Sequence, residues 1–273
     1  MKKISVILFL LLPIALFCQS DSVAVNPSDS TKTIANDYTR TTVTPVVIPN
    51  DAAKTINASD STKIKKMAIG ISFSPDYCFR KLKPDADAEW LADGRDSREV
   101  AKFGYTVGAT FAYKLNERLN ISLGVLFSDS GEKTKKYSVD EGLPKGQEPI
   151  RYSYNYHHNY LNIPVKANCF ILTGKLKVYV TLGVSANIFL YHKTTFLTYY
   201  ANSTAKESFK TKEGFSALNF SVLAGCGLNY PINAKTKLMI EPIYRRSINS
   251  ITSTPIKSYL YSAGINIGIF FDI

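Results

Sequence analysis

The chain has 273 residues, with 33 Lys and Arg against 22 Asp and Glu, and a formal net charge of +11. That length allows one or two domains. The basic residues are scattered over turns, loops and strand ends, so they read as contacts with anionic lipid headgroups or as solubilising charge, and not as a nucleic-acid surface.

Met1-Lys2-Lys3 is a basic start, and Ile4 to Phe17 is an apolar run of export-signal length, too short to stay as an anchor. Cys18 follows the bulky Phe17 where a lipidated cysteine would follow a small residue. Ordinary cleavage near Cys18–Gln19 is therefore favoured, and residues 1–18 are read as a signal peptide. Residues 19–66 are rich in Ser, Thr, Asp, Asn and Ala and poor in aromatics, a composition that cannot offset its ordering entropy. They are expected to form a disordered periplasmic linker. Within them Ser28-Asp29-Ser30-Thr31-Lys32 is echoed by Ser59-Asp60-Ser61-Thr62-Lys63, either as low-complexity drift or as a short docking peptide for a periplasmic partner.

From residue 67 onward the pattern has period two, the signature of β-strands. Met67 to Tyr77 sets Met67, Ile69, Ile71 and Phe73 against Ala68, Gly70, Ser72 and Ser74. Phe103 to Leu115 alternates in the same way, as does Leu119 to Ser128. A fourth segment, about Arg151 to Ile171, breaks phase. Leu161, Ile163, Val165, Ala167, Cys169 and Ile171 form its apolar series, while Tyr152, Tyr154 and Tyr156 lie on the opposite parity. Either these tyrosines point inward, or a β-bulge near His157–Tyr160 resets the register. Lys175 to Tyr191, Phe215 to Tyr230 and Lys237 to Arg245 follow, and Ser258 to Ile273 closes the chain. Cys169 and Cys226 fall on apolar faces, where they are expected to act as small hydrophobes.

The polar faces are made of Gly, Ser, Thr and Asn, with few charges. A soluble lipocalin-like barrel would carry charges outside. A crowded polar interior with an apolar exterior suits lipid. Short connections alternate with long ones, as periplasmic turns alternate with outer loops. The expected fold is all-β: an eight-stranded, antiparallel, up-and-down transmembrane β-barrel spanning 67–273, in the outer membrane, preceded by a disordered N-terminal tether.

Asn159-Tyr160-Leu161-Asn162-Ile163-Pro164-Val165 resembles the "YLxIPL" strand of the PorT-like outer-membrane β-barrel proteins. Ala224-Gly225-Cys226-Gly227-Leu228-Asn229-Tyr230 and Ile240-Glu241-Pro242-Ile243-Tyr244 are similar to that family's "aGxGxxy…EPxY" pair. The resemblance covers roughly 66–273. It implies an integral outer-membrane barrel, and its namesake belongs to the type IX secretion machinery. The closing strand, with Phe270-Phe271 near its end, also resembles the C-terminal signal read by the barrel-insertion machinery, an expected partner during assembly.

Five charged residues take inward parity: Glu241, Arg245, Lys166, Lys177 and Lys114. An unpaired charge in a narrow lumen is costly, so they are expected to form a polar plug, with a gated ion path as the other reading. Tyr152, Tyr154 and Tyr156 read first as an aromatic girdle at the outer interface or a strand extension above it, and, with Trp90 in the loop 78–102, as candidate partner contacts at the outer end. Trp90 is alternatively a cap on the barrel mouth. His157, His158 and His192 lie near the same end and read as solvated rim residues. Adjacent His157 and His158 face opposite ways in a strand, so no metal or catalytic spacing is fixed, and no cofactor is implied. The functional readings, in order, are a non-enzymatic scaffold or interaction protein accessory to a secretion assembly, a narrow ion or small-solute channel, and an enzyme acting at the rim.

Overall fold

The computed structural model describes residues 66–84, 89–138 and 151–273, without the side chains of 90–92 and 96. The expected signal peptide and all of the expected linker but Lys66 lie outside the described residues. The elements are β1 (Met67–Pro84), α1 (Glu89–Asp96), β2 (Glu99–Lys114), β3 (Leu119–Ser130), β4 (Glu132–Thr134), β5 (Arg151–Thr173), β6 (Lys177–Tyr199), β7 (Thr204–Thr211), β8 (Leu218–Pro231), β9 (Thr236–Ser247) and β10 (Ile256–Asp272).

Eight of these strands close a ring in the order β1, β2, β3, β5, β6, β8, β9, β10, every neighbour antiparallel. The first and last strands seal it through pairs such as Ile71 with Ile269 and Ser72 with Gly268. Closure leaves no strand edge within the membrane, which a span requires because lipid cannot hydrogen-bond backbone groups. Both ends of the barrel domain meet at the short-turn end, where the Ile273 N–H donates to the Met67 carbonyl at 2.9 Å.

The parity read from the sequence is the parity of the wall. Ile71 is 66% exposed and Val125 56%, whereas Ser74 on the other face is fully buried. Glycines sit on the inner face because the lumen has no room there. A Cβ on Gly264 would collide with the Asp76 carboxylate, and one on Gly227 with the Tyr179 ring. Near the short turns Phe170, Tyr179 and Met239 pack into a small apolar cluster against Phe270, a residue that breaks the polar series of the closing strand.

Strand lengths depart from expectation on the long-loop side. β1 continues to Pro84, β6 to Tyr199 and β2 begins at Glu99. Above the hydrocarbon the outer face no longer needs apolar residues, so the alternation fades although the pairing continues. There β5 and β6 project as a paired ribbon from Asn159 and Tyr191 to Arg151 and Tyr199. β7 adds to β6 over His192–Tyr199, and β4 bridges β2 and β5.

The register shift beside the tyrosines lies in β6, not in β5. Asn159 pairs with Tyr191 and Tyr160 with Phe189, so Leu190 is the extra residue. β5 keeps one parity, and Tyr152, Tyr154 and Tyr156 remain on the lumen side. Cys226 is a free, exposed thiol on the outer wall, as expected. Cys169 shares the outward parity but is disulfide-bonded, which corrects its reading as a simple hydrophobe.

Candidate functional site

Two polar constellations fill the inside of the barrel, and a third sits above it. In the lower one Glu241, fully buried, accepts from Lys166 Nζ at 2.6 Å on Oε1 and from the Tyr179 hydroxyl at 2.9 Å on Oε2. Asn266 Nδ2 approaches Oε1 at 3.4 Å. In the middle one Arg245 Nη1 donates to Asp76 Oδ1 at 2.6 Å, and Ser74 and Thr106 donate to the same carboxylate. Each buried carboxylate thus has a cation and at least one further donor, the condition under which a charge is tolerated away from water.

Of the five residues expected to form one network, the structure joins only Glu241 and Lys166 directly. Arg245 takes Asp76 instead, which the sequence reading missed by ending the first strand's inward series at Ser74; simple continuation of even parity reaches Asp76. Lys114 and Lys177 stand at the turn end, level with the Lys237–Asp272 ion pair, and outside the plug. Tyr179 takes inward parity on β6, which places its ring in the lumen but does not reveal the hydroxyl's donation to Glu241.

Among the described residues, cavities of about 60, 20 and 50 Å³ lie below, between and above these layers. The Ser122, Asn168 and Tyr160 side-chain oxygens without protein partners belong to residues lining the first and last of these. Spaces of that size hold a few waters at most.

The third constellation lies above the hydrocarbon. Arg80 pairs with Glu99 and, at 3.1 Å, with Glu132. Glu132 Oε2 is 3.2 Å from His158 Nε2, His158 Nδ1 is 3.1 Å from His192 Nδ1, and His192 Nε2 is 2.8 Å from Thr194 Oγ1. With both rings neutral, one directed chain satisfies every contact. Thr194 donates to His192, His192 to His158, and His158 to Glu132. A proton added at His192 Nε2 reverses the Thr194 link alone, because the Glu132 carboxylate can only accept. A second would set N–H against N–H across the ring pair.

Burial, reinforced by the neighbouring His158, pushes the His192 imidazole down to about 3. Burial alone would raise the Glu132 carboxyl, but His158 and Arg80 outweigh it and hold it below the usual range. These histidines are therefore internal groups and not the solvated rim residues expected. His158 is fully buried and His192 only 7% exposed. The opposite orientation expected for His157 is observed. Its Nδ1 lies 2.8 Å from Asp129 and 2.7 Å from Lys102 Nζ on the outer side of β5.

Above the histidines runs an aromatic stack. Phe215 lies 4.8 Å from His192, His192 5.8 Å from Tyr156, Tyr156 5.9 Å from Tyr154, and Phe196 joins Tyr154 to Tyr152. The three tyrosines are half-buried within this stack. Trp90 falls in α1, and its side chain lies outside the described residues.

A closed ring of eight antiparallel strands, apolar outside and plugged with paired charges inside, defines a transmembrane β-barrel of the outer-membrane class. The model of the outer membrane protein beta-barrel domain matches residues 91–272, and the chain belongs to that family. It is thus an integral outer-membrane protein. Solved structures similar to it include Neisserial surface protein A (12% identity, 76% of this chain and 97% of that one, TM-score 0.40). The attachment invasion locus protein Ail of Yersinia pestis is similar over 75% of this chain and 99% of its own (14% identity, TM-score 0.29). The outer membrane protease OmpT of Escherichia coli covers 76% and 97% (9% identity, TM-score 0.41). At these scores they carry no argument about role. No curated protein matches the chain.

Proposed function

We propose that the barrel is a closed, non-enzymatic membrane anchor and that the β5–β6–β7 extension docks a protein partner at the cell surface. One observation carries this reading. The lumen is filled by two charge-paired layers, whereas β7 leaves an open strand edge above the membrane, with Thr204–Lys210 exposed throughout. An open edge is a template for an added strand. The stack of Tyr152, Tyr154 and Tyr156 stiffens the extension that presents that edge, and its half-exposed rings offer anchor area beside it. The PorT-like motifs in β5, β8 and β9 support a finer form, in which the docked partner is a component of a type IX-like secretion assembly.

The test is co-purification from gently solubilised membranes, paired with planar-bilayer recording of the purified chain. A stable partner lost when Thr204–Thr211 is replaced by a Gly/Ser linker, together with silent bilayers, is the expected result. A partner-free monomer that conducts would overturn the reading in favour of a narrow channel.

A further inference from the structure

Among the described residues a concavity larger than these lumen cavities lies outside the lumen. A groove of about 700 Å³ opens on the outside of the wall, where the outer ends of β1, β9 and β10 meet beside Val222 of β8. Lys81 and Lys83 of β1 and Arg246 of β9 line it, together with Tyr259 and Tyr261 of β10. No carboxylate is among its lining residues. The three cations are exposed, and no ion pair engages them among the described residues.

The groove is built, not merely charged. Tyr261 stacks on Phe79 at 5.2 Å with 10° between planes, and the Arg246 guanidinium lies 5.5 Å from the Tyr261 ring centroid. The ring thus holds the guanidinium in place, as a cation–π pair does.

Height selects the occupant. Immediately below the groove the outer wall is apolar: Tyr244, Ala263, Ile265 and Ile267. Cations and tyrosines at the top of an apolar band stand at the headgroup level. On the neighbouring strand β2, Lys102 is buried and taken up by Asp129 at 2.9 Å and by His157. Across the ring Lys193 faces Lys210, whose Nζ lies 4.7 Å from the Tyr191 ring centroid, so cations and a tyrosine stand there too. What the β1–β9–β10 side adds is the groove between them.

The geometry points to a binding site for a phosphorylated glycolipid of the outer leaflet. Its phosphate would lie among Lys81, Lys83 and Arg246, its sugar against Tyr259 and Tyr261, and its acyl chains down the apolar wall. Arg recognises phosphate through two parallel donors and Lys as a point charge.

The experiment uses the full chain in mild detergent with diphosphorylated lipid A, dephosphorylated lipid A and inorganic phosphate as separate probes. The readout is lipid retained in native mass spectrometry. The triple variant Lys81→Gln, Lys83→Gln, Arg246→Gln is expected to lose diphosphorylated lipid A about a hundredfold, at roughly tenfold or less per cation. A control variant, Lys133→Gln, Lys135→Gln, Lys206→Gln, removes the same charge away from the groove and is expected to retain the lipid. Heat-modifiability on gels checks that both variants stay folded. Equal retention by the triple variant, or equal binding of dephosphorylated lipid A, would overturn the proposal. Displacement of the lipid by millimolar phosphate would also overturn it, by assigning the groove to free anions.

Discussion

The lumen and the extension solve opposite problems with the same strands. Inside the membrane the wall must be apolar outward, so every polar demand is turned inward and met by pairs such as Lys166–Glu241 and Arg245–Asp76. Above the membrane water is available, and the charges move to both sides: Asp129 and His157 outward, met by the buried Lys102, and Arg80, Glu132 and His158 inward. The space gained on the inner side is filled by aromatic rings, because stacked rings rigidify a projecting sheet that has no barrel around it. The lumen is thus stiffened by electrostatics across the ring. The extension is stiffened by stacking along two neighbouring strands.

The strongest way to break this contrast is to leave a charge unpaired in the lumen. Glu241→Gln strips the counter-charge from Lys166, and the expected cost is about 3–5 kcal/mol. It is read as a lower transition in thermal unfolding in detergent. The double variant Glu241→Leu, Lys166→Met is expected to recover most of that loss. Unchanged melting in the single variant would show that the plug does not hold the barrel together.

A smaller effect tests crowding. Gly264→Ala places a methyl group against the Asp76 carboxylate, and overpacking of this kind costs about 1–3 kcal/mol. Arg245 and Asp76 are expected to separate, so that the extra loss caused by Arg245→Ala is smaller in the Gly264→Ala background than in the parent. Full additivity would contradict the contact.

Acid separates the two regions. His192 is depressed to about 3 in the folded chain against about 6.5 when unfolded. The unfolded state therefore binds the extra proton first. The stability His192 contributes is complete above pH 6.5 and is lost as pH falls from there toward 3. Glu132, held below its ordinary value, adds a loss only at the lower end of that window, below about 4.5. Hydrogen exchange at pH 4 is expected to rise in the β5–β6 tips and β7 while β8 and β9 remain protected. Uniform exchange in both regions would erase the distinction.

The smallest change is Tyr154→Ala. Removing one ring from the stack costs the extension its area burial and about 0.5–1.5 kcal/mol of ring–ring attraction beyond it. Proteolysis near Arg151 is the expected readout, with no shift in the melting of the barrel. A melting shift as large as that of Glu241→Gln would mean the two regions unfold as one.

Alternation alone determined which residues face lipid, which glycines line the crowded side, and how many strands cross. These are local properties, because successive side chains on a strand must point to opposite faces whatever the strand is paired with. Local parity also placed Glu241, Lys166 and Arg245 inward and set His157 and His158 on opposite sides. Only the tertiary structure decided which of these meet. Arg245 and Asp76 are 169 positions apart, and their contact depends on the register of the closed ring. The inward parity of Tyr152, Tyr154 and Tyr156 is the uninterrupted alternation of β5 itself; what only the paired sheet decided is that the register shift falls on β6, where the extra Leu190 turns His192 and Phe196 toward these rings. The Glu132–His158–His192 chain joins three strands above the membrane, where the hydrophobic alternation that made the rest of the fold legible has no lipid to answer to.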